Sequence, residues 1–163
     1  MATDLNDATG ELVLNRPVRR NTFNGPLVAQ MDMTRWEFIH NDSCNVIIIR
    51  GEQGNLCAGL DLKAFSEKPA PEWRKTFQDE WANLYNAIYN FPKPVIGALE
   101  NFAIAGGSAL ALASNFLMVG KVAFLQVVEV EMGLAEPINV AWLFIRYPHA
   151  LGMYMAVIGE KTY

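Results

Sequence analysis

The sequence predicts an α/β fold, and three features carry that expectation. NVIIIR at 45–50 and VIGAL at 95–99 are continuous apolar runs of strand length, the pattern of strands covered on both faces. Between and after them stand longer stretches with apolar residues at helical spacing, and strands alternating with helices argue for α/β. FAIAGGSALALAS at 102–114 places a glycine pair between a strand-like run and a helix-like run.

In chain order, ELVLN at 11–15 reads as a short strand closed by Arg16-Pro17, because proline cannot extend a ladder. From Gly25 to His40, Leu27, Met31, Met33, Trp36 and Ile39 recur at near-helical spacing until Asn41-Asp42-Ser43 ends the helix. Glu52-Gln53-Gly54-Asn55 is a loop. Pro71-Glu72 opens a second helix with an apolar stripe of Trp73, Phe77, Trp81, Leu84 and Ile88, stopping before Pro92-Lys93-Pro94. A third helix runs from Gly106-Gly107 to about Ser114, FLMV at 116–119 is one more strand, and Pro137 begins a helical stretch. The tryptophans at 36, 73, 81 and 142 are assigned to the core. No repeat, low-complexity segment or linker interrupts 1–163, so one domain is expected.

Composition narrows the function. At 52% apolar and 18% charged the chain can bury a core. A net charge of −4, with no basic run longer than Arg19-Arg20, lacks the footprint of a nucleic-acid binder, so an anionic ligand needs a few placed cations. Cys44, Cys57, His40 and His149 are too few and too scattered for a disulfide framework or a metal cluster. The expectation is a reducing, cytoplasmic setting with no metal. The opening MATDLNDATG has no apolar core, which argues against a secretory leader. ALENFAIAGGSALALASNFLMVG at 98–120 is apolar enough to raise a membrane alternative, but Glu100, Asn101, Gly106, Gly107 and Asn115 break it, and a buried turn and helix are expected instead.

Two places share an arrangement. GEQGNLCAGLDLKAF follows one strand and ENFAIAGGSALALA the other, each passing through small residues into a turn or helix. Open α/β sheets collect ligands beyond the carboxyl ends of their strands, and Ala58, Gly59, Gly106 and Gly107 would let a ligand atom reach the backbone. Helix starts add free N–H donors, so two such loops meeting on one carbonyl oxygen would form an oxyanion hole. Spacing alone leaves the alternative open, since a strand–Gly–helix turn is usually just a turn.

LNRPVRRNTF (14–23), NVIIIRGEQGNLCAGLDLKAF (45–65), PKPVIGALENFAIAGGSALALASN (92–115) and FLQVVEVEMGL (124–134), in that order, resemble the enoyl-CoA hydratase/isomerase family, the crotonases. The resemblance implies a spiral of ββα units that binds an acyl-CoA thioester and stabilises its enolate with two backbone N–H groups. It assigns the donors to Ala58 and Gly106, with Ala105 where a first glycine often stands. It assigns CoA contacts to Arg20, Leu60, Asp61 and Lys63, with Arg19 and Lys63 suited to phosphates. A solvated surface is the alternative for those side chains. CoA enters as part of the substrate, and no separate cofactor is implied.

The acid/base residues depart from the family pattern. Its hydratases carry two glutamates, and the first falls here on Ala109; the second falls on Glu129, with Val128 replacing the usual proline. Two carboxyls allow water addition, whereas a double-bond shift needs one base to take a proton and return it. The resemblance therefore implies an isomerase, with a hydratase of atypical acid or a non-catalytic acyl-CoA binder as alternatives. Glu129 lies among Val127, Val128 and Val130, which would raise its pKa by desolvation, unless VEVE is an alternating strand whose acids face water. Glu136 is the reserve. Ser108 and Ser114 have no histidine nearby in sequence, His40 and His149 suit surface or capping roles, and Cys57 suits packing. Family members usually begin with an extra strand and continue into a longer helical region, so both ends look short and the C-terminal helical region largely missing, as in a fragment or in a shortened member that relies on its partner subunits. Uncovered apolar stripes then imply a homo-oligomer, a trimer or hexamer.

Overall fold

The computed structural model describes residues 2–6 and 8–163; side chains before residue 8, in the segment that argued against a leader, lie outside that description. The strands are β1 (Ala2–Asn6), β2 (Thr9–Leu14), β3 (Val46–Gly51), β4 (Val95–Leu99), β5 (Phe102–Ile104), β6 (Phe116–Val119) and β7 (Phe124–Gln126). One sheet runs in the order β1-β2-β3-β4-β6, and β5 pairs with β7 in a second, smaller one. Within the two sheets the strands pair in parallel except for the β1–β2 hairpin at the edge, and an antiparallel bridge joins Leu125 of β7 to Thr162. The α/β expectation holds. β1 is a strand the sequence did not signal: TDLN has no apolar alternation, and its order comes from pairing Ala2 to Asn6 against Val13 to Thr9.

The helices are α1 (Gly25–Ile39), α2 (Leu62–Phe65), α3 (Phe77–Tyr89), α4 (Gly106–Ala113), α5 (Pro137–Arg146) and α6 (His149–Ile158). α1 starts where the Asn24 side chain accepts the Leu27 N–H at 3.0 Å. Its buried face is Leu27, Val28, Met31, Thr34 and Phe38. Met33 and Trp36, expected on that face, are 65% and 59% exposed, because the row through 27, 31, 34 and 38 is the one that meets the sheet. The expected second helix is two pieces: a 3-10 turn, Glu72–Lys75, then α3 after Thr76. Trp73 and Trp81 are half-buried in an aromatic row with Phe77, and Trp142 is buried, so only Trp36 leaves the core assignment outright.

α4 lies at the centre, with all eight of its residues buried. Gly, Ala and Ser at six of its positions let strands and helices approach it closely. The apolar run at 98–120 thus becomes the end of β4, then β5, α4 and β6. No helix among the described residues is long and apolar enough to cross a membrane.

Candidate active site

The two small-residue loops do meet. One descends from the carboxyl end of β3, and the other passes from β4 through β5 into α4. Gly59 has φ +83°, and a Cβ there would sit 2.8 Å from the Ala105 methyl and 3.5 Å from the Gly106 nitrogen. A Cβ on Gly107 would fall 2.1 Å from the Cys57 carbonyl oxygen, and one on Gly106 would fall 2.3 Å from Trp81 Cζ2. Backbone packing therefore requires glycine at 107, whereas a Cβ at 106 meets only the Trp81 side chain, and the closeness the loops reach brings the first N–H of α4 against Gly59. Ala105, the residue before α4, is held at φ 55°, ψ −131°, a conformation alanine rarely adopts.

The expected donor on the first loop is displaced by two residues. The Ala58 N–H donates to the Arg20 carbonyl at 3.1 Å, because the turn after β2 runs alongside this loop, so it is not free for a ligand. Phe23 pairs with Leu60 as a parallel bridge: the Phe23 N–H donates to the Gly59 carbonyl and the Asp61 N–H to the Phe23 carbonyl. That alternation turns the Leu60 N–H to the opposite side, where it has no protein partner among the described residues. The Gly106 N–H, first in its helix, has no intrahelical acceptor either. Leu60 and Gly106, rather than Ala58 and Gly106, are the unpaired donors.

A cleft of about 290 Å³ opens beside Leu60, between Val18, Arg19, Arg20 and Thr22 on one wall and Leu60 to Leu62 on the other. Of the expected CoA contacts, Arg20, Leu60 and Asp61 line it, whereas Lys63 is exposed on α2 and outside the lining. Asp61 is also a structural anchor. It is buried, its Oδ2 accepts from Arg16 at 2.8 Å, its Oδ1 accepts the Ala64 N–H at 3.1 Å to start α2, and Arg19 lies 3.7 Å away. Burial pushes its pKa up, but the Ala64 N–H and the two arginines outweigh that and hold it below the ordinary carboxyl value. Asn21, which the sequence did not single out, braces the same turn: its amide donates to the Glu52 and Asn55 carbonyls, and its oxygen accepts the Arg16 N–H.

Glu129 does not alternate on a strand. Val128–Met132 is a 3-10 turn that buries Glu129 to 8% exposure and leaves Glu131 outside. Oε2 of Glu129 is buried without a hydrogen-bond partner among the described residues. Burial foremost, with the Glu136 carboxylate adding to it and a backbone N–H opposing, raises the Glu129 pKa to about 7. Glu136 caps α5, its Oε1 accepting the Asn139 N–H at 3.1 Å. Asn139 in turn donates through Nδ2 to the Ala105 carbonyl at 3.0 Å. The Tyr85 hydroxyl donates to the Gly106 carbonyl at 2.6 Å; burial, then Cys57, Glu136 and Glu129, push its pKa well up. The start of α4 and the two carboxyls thus belong to one constellation. Ala109 stands fully buried in α4 with no ionisable group.

The remaining polar candidates are structural. Ser108 donates to the Ala103 and Gln126 carbonyls and ties α4 to β5 and β7; Ser114 donates back to Leu110. His40 bonds the Trp36 carbonyl, and His149 packs on the Phe144 ring. Burial pushes the Cys57 thiol up to about 12, so it is not a thiolate. No group of three or more metal-ligating side chains occurs among the described residues.

Two backbone N–H groups without protein acceptors, at Leu60 and at the first residue of α4, a cleft walled by Arg19 and Arg20 beside Leu60, and the buried Glu129 carboxyl are the groups this α/β protein offers to a ligand. Comparison with known proteins gives the family. The enoyl-CoA hydratase/isomerase family profile matches residues 4–163, and the chain belongs to that family. It is 31% identical over 147 residues to human enoyl-CoA hydratase domain-containing protein 2, mitochondrial, covering 90% of this chain and 49% of that protein. It is 28% identical over 154 residues to 1,2-epoxyphenylacetyl-CoA isomerase of Escherichia coli K12, covering 92% and 59%. The crystal structure of an enoyl-CoA hydratase from Polaromonas sp. JS666 superposes with TM-score 0.89 at 26% identity, covering 99% of this chain and 64% of that one. The fold is thus crotonase-like, and the chain spans about half the length of the curated relatives it matches.

Proposed function

We propose that the protein binds an acyl-CoA, holds the thioester oxygen between the N–H groups of Leu60 and Gly106, and shifts an enoyl double bond with Glu129 as the base. The carrying observation is the buried Glu129 carboxyl, whose Oε2 has no hydrogen-bond partner among the described residues and whose pKa is raised to about 7. Removing a proton next to the thioester sends charge to its oxygen, where donors already aimed need no rearrangement. Glu129 then returns the proton two carbons away. Arg19 and Arg20 suit the CoA phosphates at the mouth of the cleft. Incubation with a 3-enoyl-CoA should yield the 2-enoyl-CoA; no product from either isomer, despite binding by calorimetry, would leave a non-catalytic binder.

A hydratase is the second reading, favoured by one observation: Glu136 acts on Glu129, so a second carboxyl is present although Ala109 supplies none. Formation of a 3-hydroxyacyl-CoA from a 2-enoyl-CoA would select it. We also propose a homo-oligomer, with a trimer the leading state, because α5, α6 and β6 expose large apolar side chains.

A further inference from the structure

We infer that Asn139 is a positioning residue that fixes the Ala105–Gly106 peptide, and so aims the Gly106 N–H at the thioester oxygen. This rests on the acyl-CoA reading above. A peptide's N–H points opposite to its C=O, so whatever fixes the Ala105 carbonyl fixes the Gly106 donor. That carbonyl already accepts from Ser108 and Ala109 at 2.8 and 3.3 Å, as the start of a helix requires. Asn139 adds a third bond at 3.0 Å from outside the helix. The extra bond has a physical occasion: Ala105 stands at φ 55°, ψ −131°, and such a conformation persists only where neighbours over-determine it.

Asn139 is itself placed for this. It is completely buried, its backbone N–H is taken by the Glu136 carboxylate, and only its NH₂ can donate to a carbonyl, which settles the amide orientation. Its Oδ1 has no partner among the described residues, so Ala105 is the contact that orients the side chain. From the other side, Tyr85 holds the next carbonyl, that of Gly106, at 2.6 Å. The first turn of α4 is thereby clamped between α3 and α5, with its leading N–H left open.

The test compares the parent with Asn139→Ala and Asn139→Asp, using a saturated acyl-CoA labelled with carbon-13 at the thioester carbonyl. In the parent, binding should lower the carbonyl stretching frequency. In Asn139→Ala the frequency should return most of the way to its value in water and kcat should fall about 10- to 100-fold, short of the roughly 10²–10³-fold lost when a donor is removed outright, with CoA affinity unchanged. Asn139→Asp, which sets an acceptor against the carbonyl, should give an equal or larger loss. An undiminished shift and kcat in Asn139→Ala overturn the inference, as does a loss of CoA affinity and melting temperature in step with kcat. Absence of any shift in the parent defeats the acyl-CoA reading first, and this inference with it.

Discussion

Glu129 is a carboxyl the fold holds at a cost, and two measurements should register that. Replacing it by Gln keeps its size and removes the base, so isomerisation should fall by about 10²–10⁴-fold while acyl-CoA affinity is kept. In the parent, kcat should rise with pH through about 7 as the carboxyl ionises. Stability should move the opposite way. The folded pKa of about 7 stands above the ordinary 4.5, so between those values the folded state binds more protons than the unfolded. Stability is then fullest below pH 4.5 and declines toward pH 7, by on the order of 3 kcal/mol at the limit. Thermal melts of Glu129→Gln should lose that slope; an equal slope in both proteins would assign it elsewhere. The glycine pair separates by what each Cβ meets. Gly107→Ala drives into the Cys57 backbone and should prevent folding, whereas Gly106→Ala meets the edge of the Trp81 ring, which can shift, and should leave a folded protein with impaired turnover. Equal melting temperatures for the two variants would refute the distinction.

Among the elements, the turn after β2 matters more to the site than its length suggests. It supplies the acceptor for Ala58, the Arg16 partner of Asp61 and the Asn21 amide. Asn21→Ala would strand the Glu52 and Asn55 carbonyls and the Arg16 N–H, and should cost about 2–4 kcal/mol by denaturant titration, with weaker acyl-CoA binding because the cleft loses its wall. An unchanged midpoint would show that water replaces the amide.

How far each element could be read follows from the range of its determinants. β3 and β4 announce themselves by the uninterrupted apolar runs at 46–49 and 95–99, and the loops beyond them were located by that alone. The buried face of α1 was not legible, since Met33 and Trp36 are apolar yet point outward while Thr34 points in. β1 has no pattern of its own. The donor on the first loop was misplaced because the Arg20–Ala58 bond joins residues far apart in sequence, and Asn139 was invisible because its meaning is a contact with Ala105, 34 residues away. Glu129 was legible as a buried acid among valines, although the 3-10 turn that buries it was not.

For the molecule as a whole, the unmatched quantity is apolar surface. β6 is an outer strand, paired on one side to β4, and it presents Phe116, Met118 and Val119 outward, with Met118 65% exposed. Ile145 on α5 is 60% exposed, and Val157 and Ile158 on α6 extend the patch. Between these helices and β6 lies an apolar cavity of about 320 Å³ reached by Leu117, Val119, Leu143 and Met155. An apolar edge strand beside an apolar helical face is a surface that water disfavours, and burying it at about 25 cal/mol per Å² is what drives chains together. The 163-residue chain should therefore self-associate at micromolar concentration, with light scattering giving a mass above that of the monomer. Met118→Lys combined with Ile145→Lys places two charges where a partner would need to dry the surface, and should shift the distribution toward monomer with the circular dichroism unchanged. A parent that is monomeric under those conditions would remove the trimer proposal, and a double variant that associates as strongly as the parent would place the contact on another face.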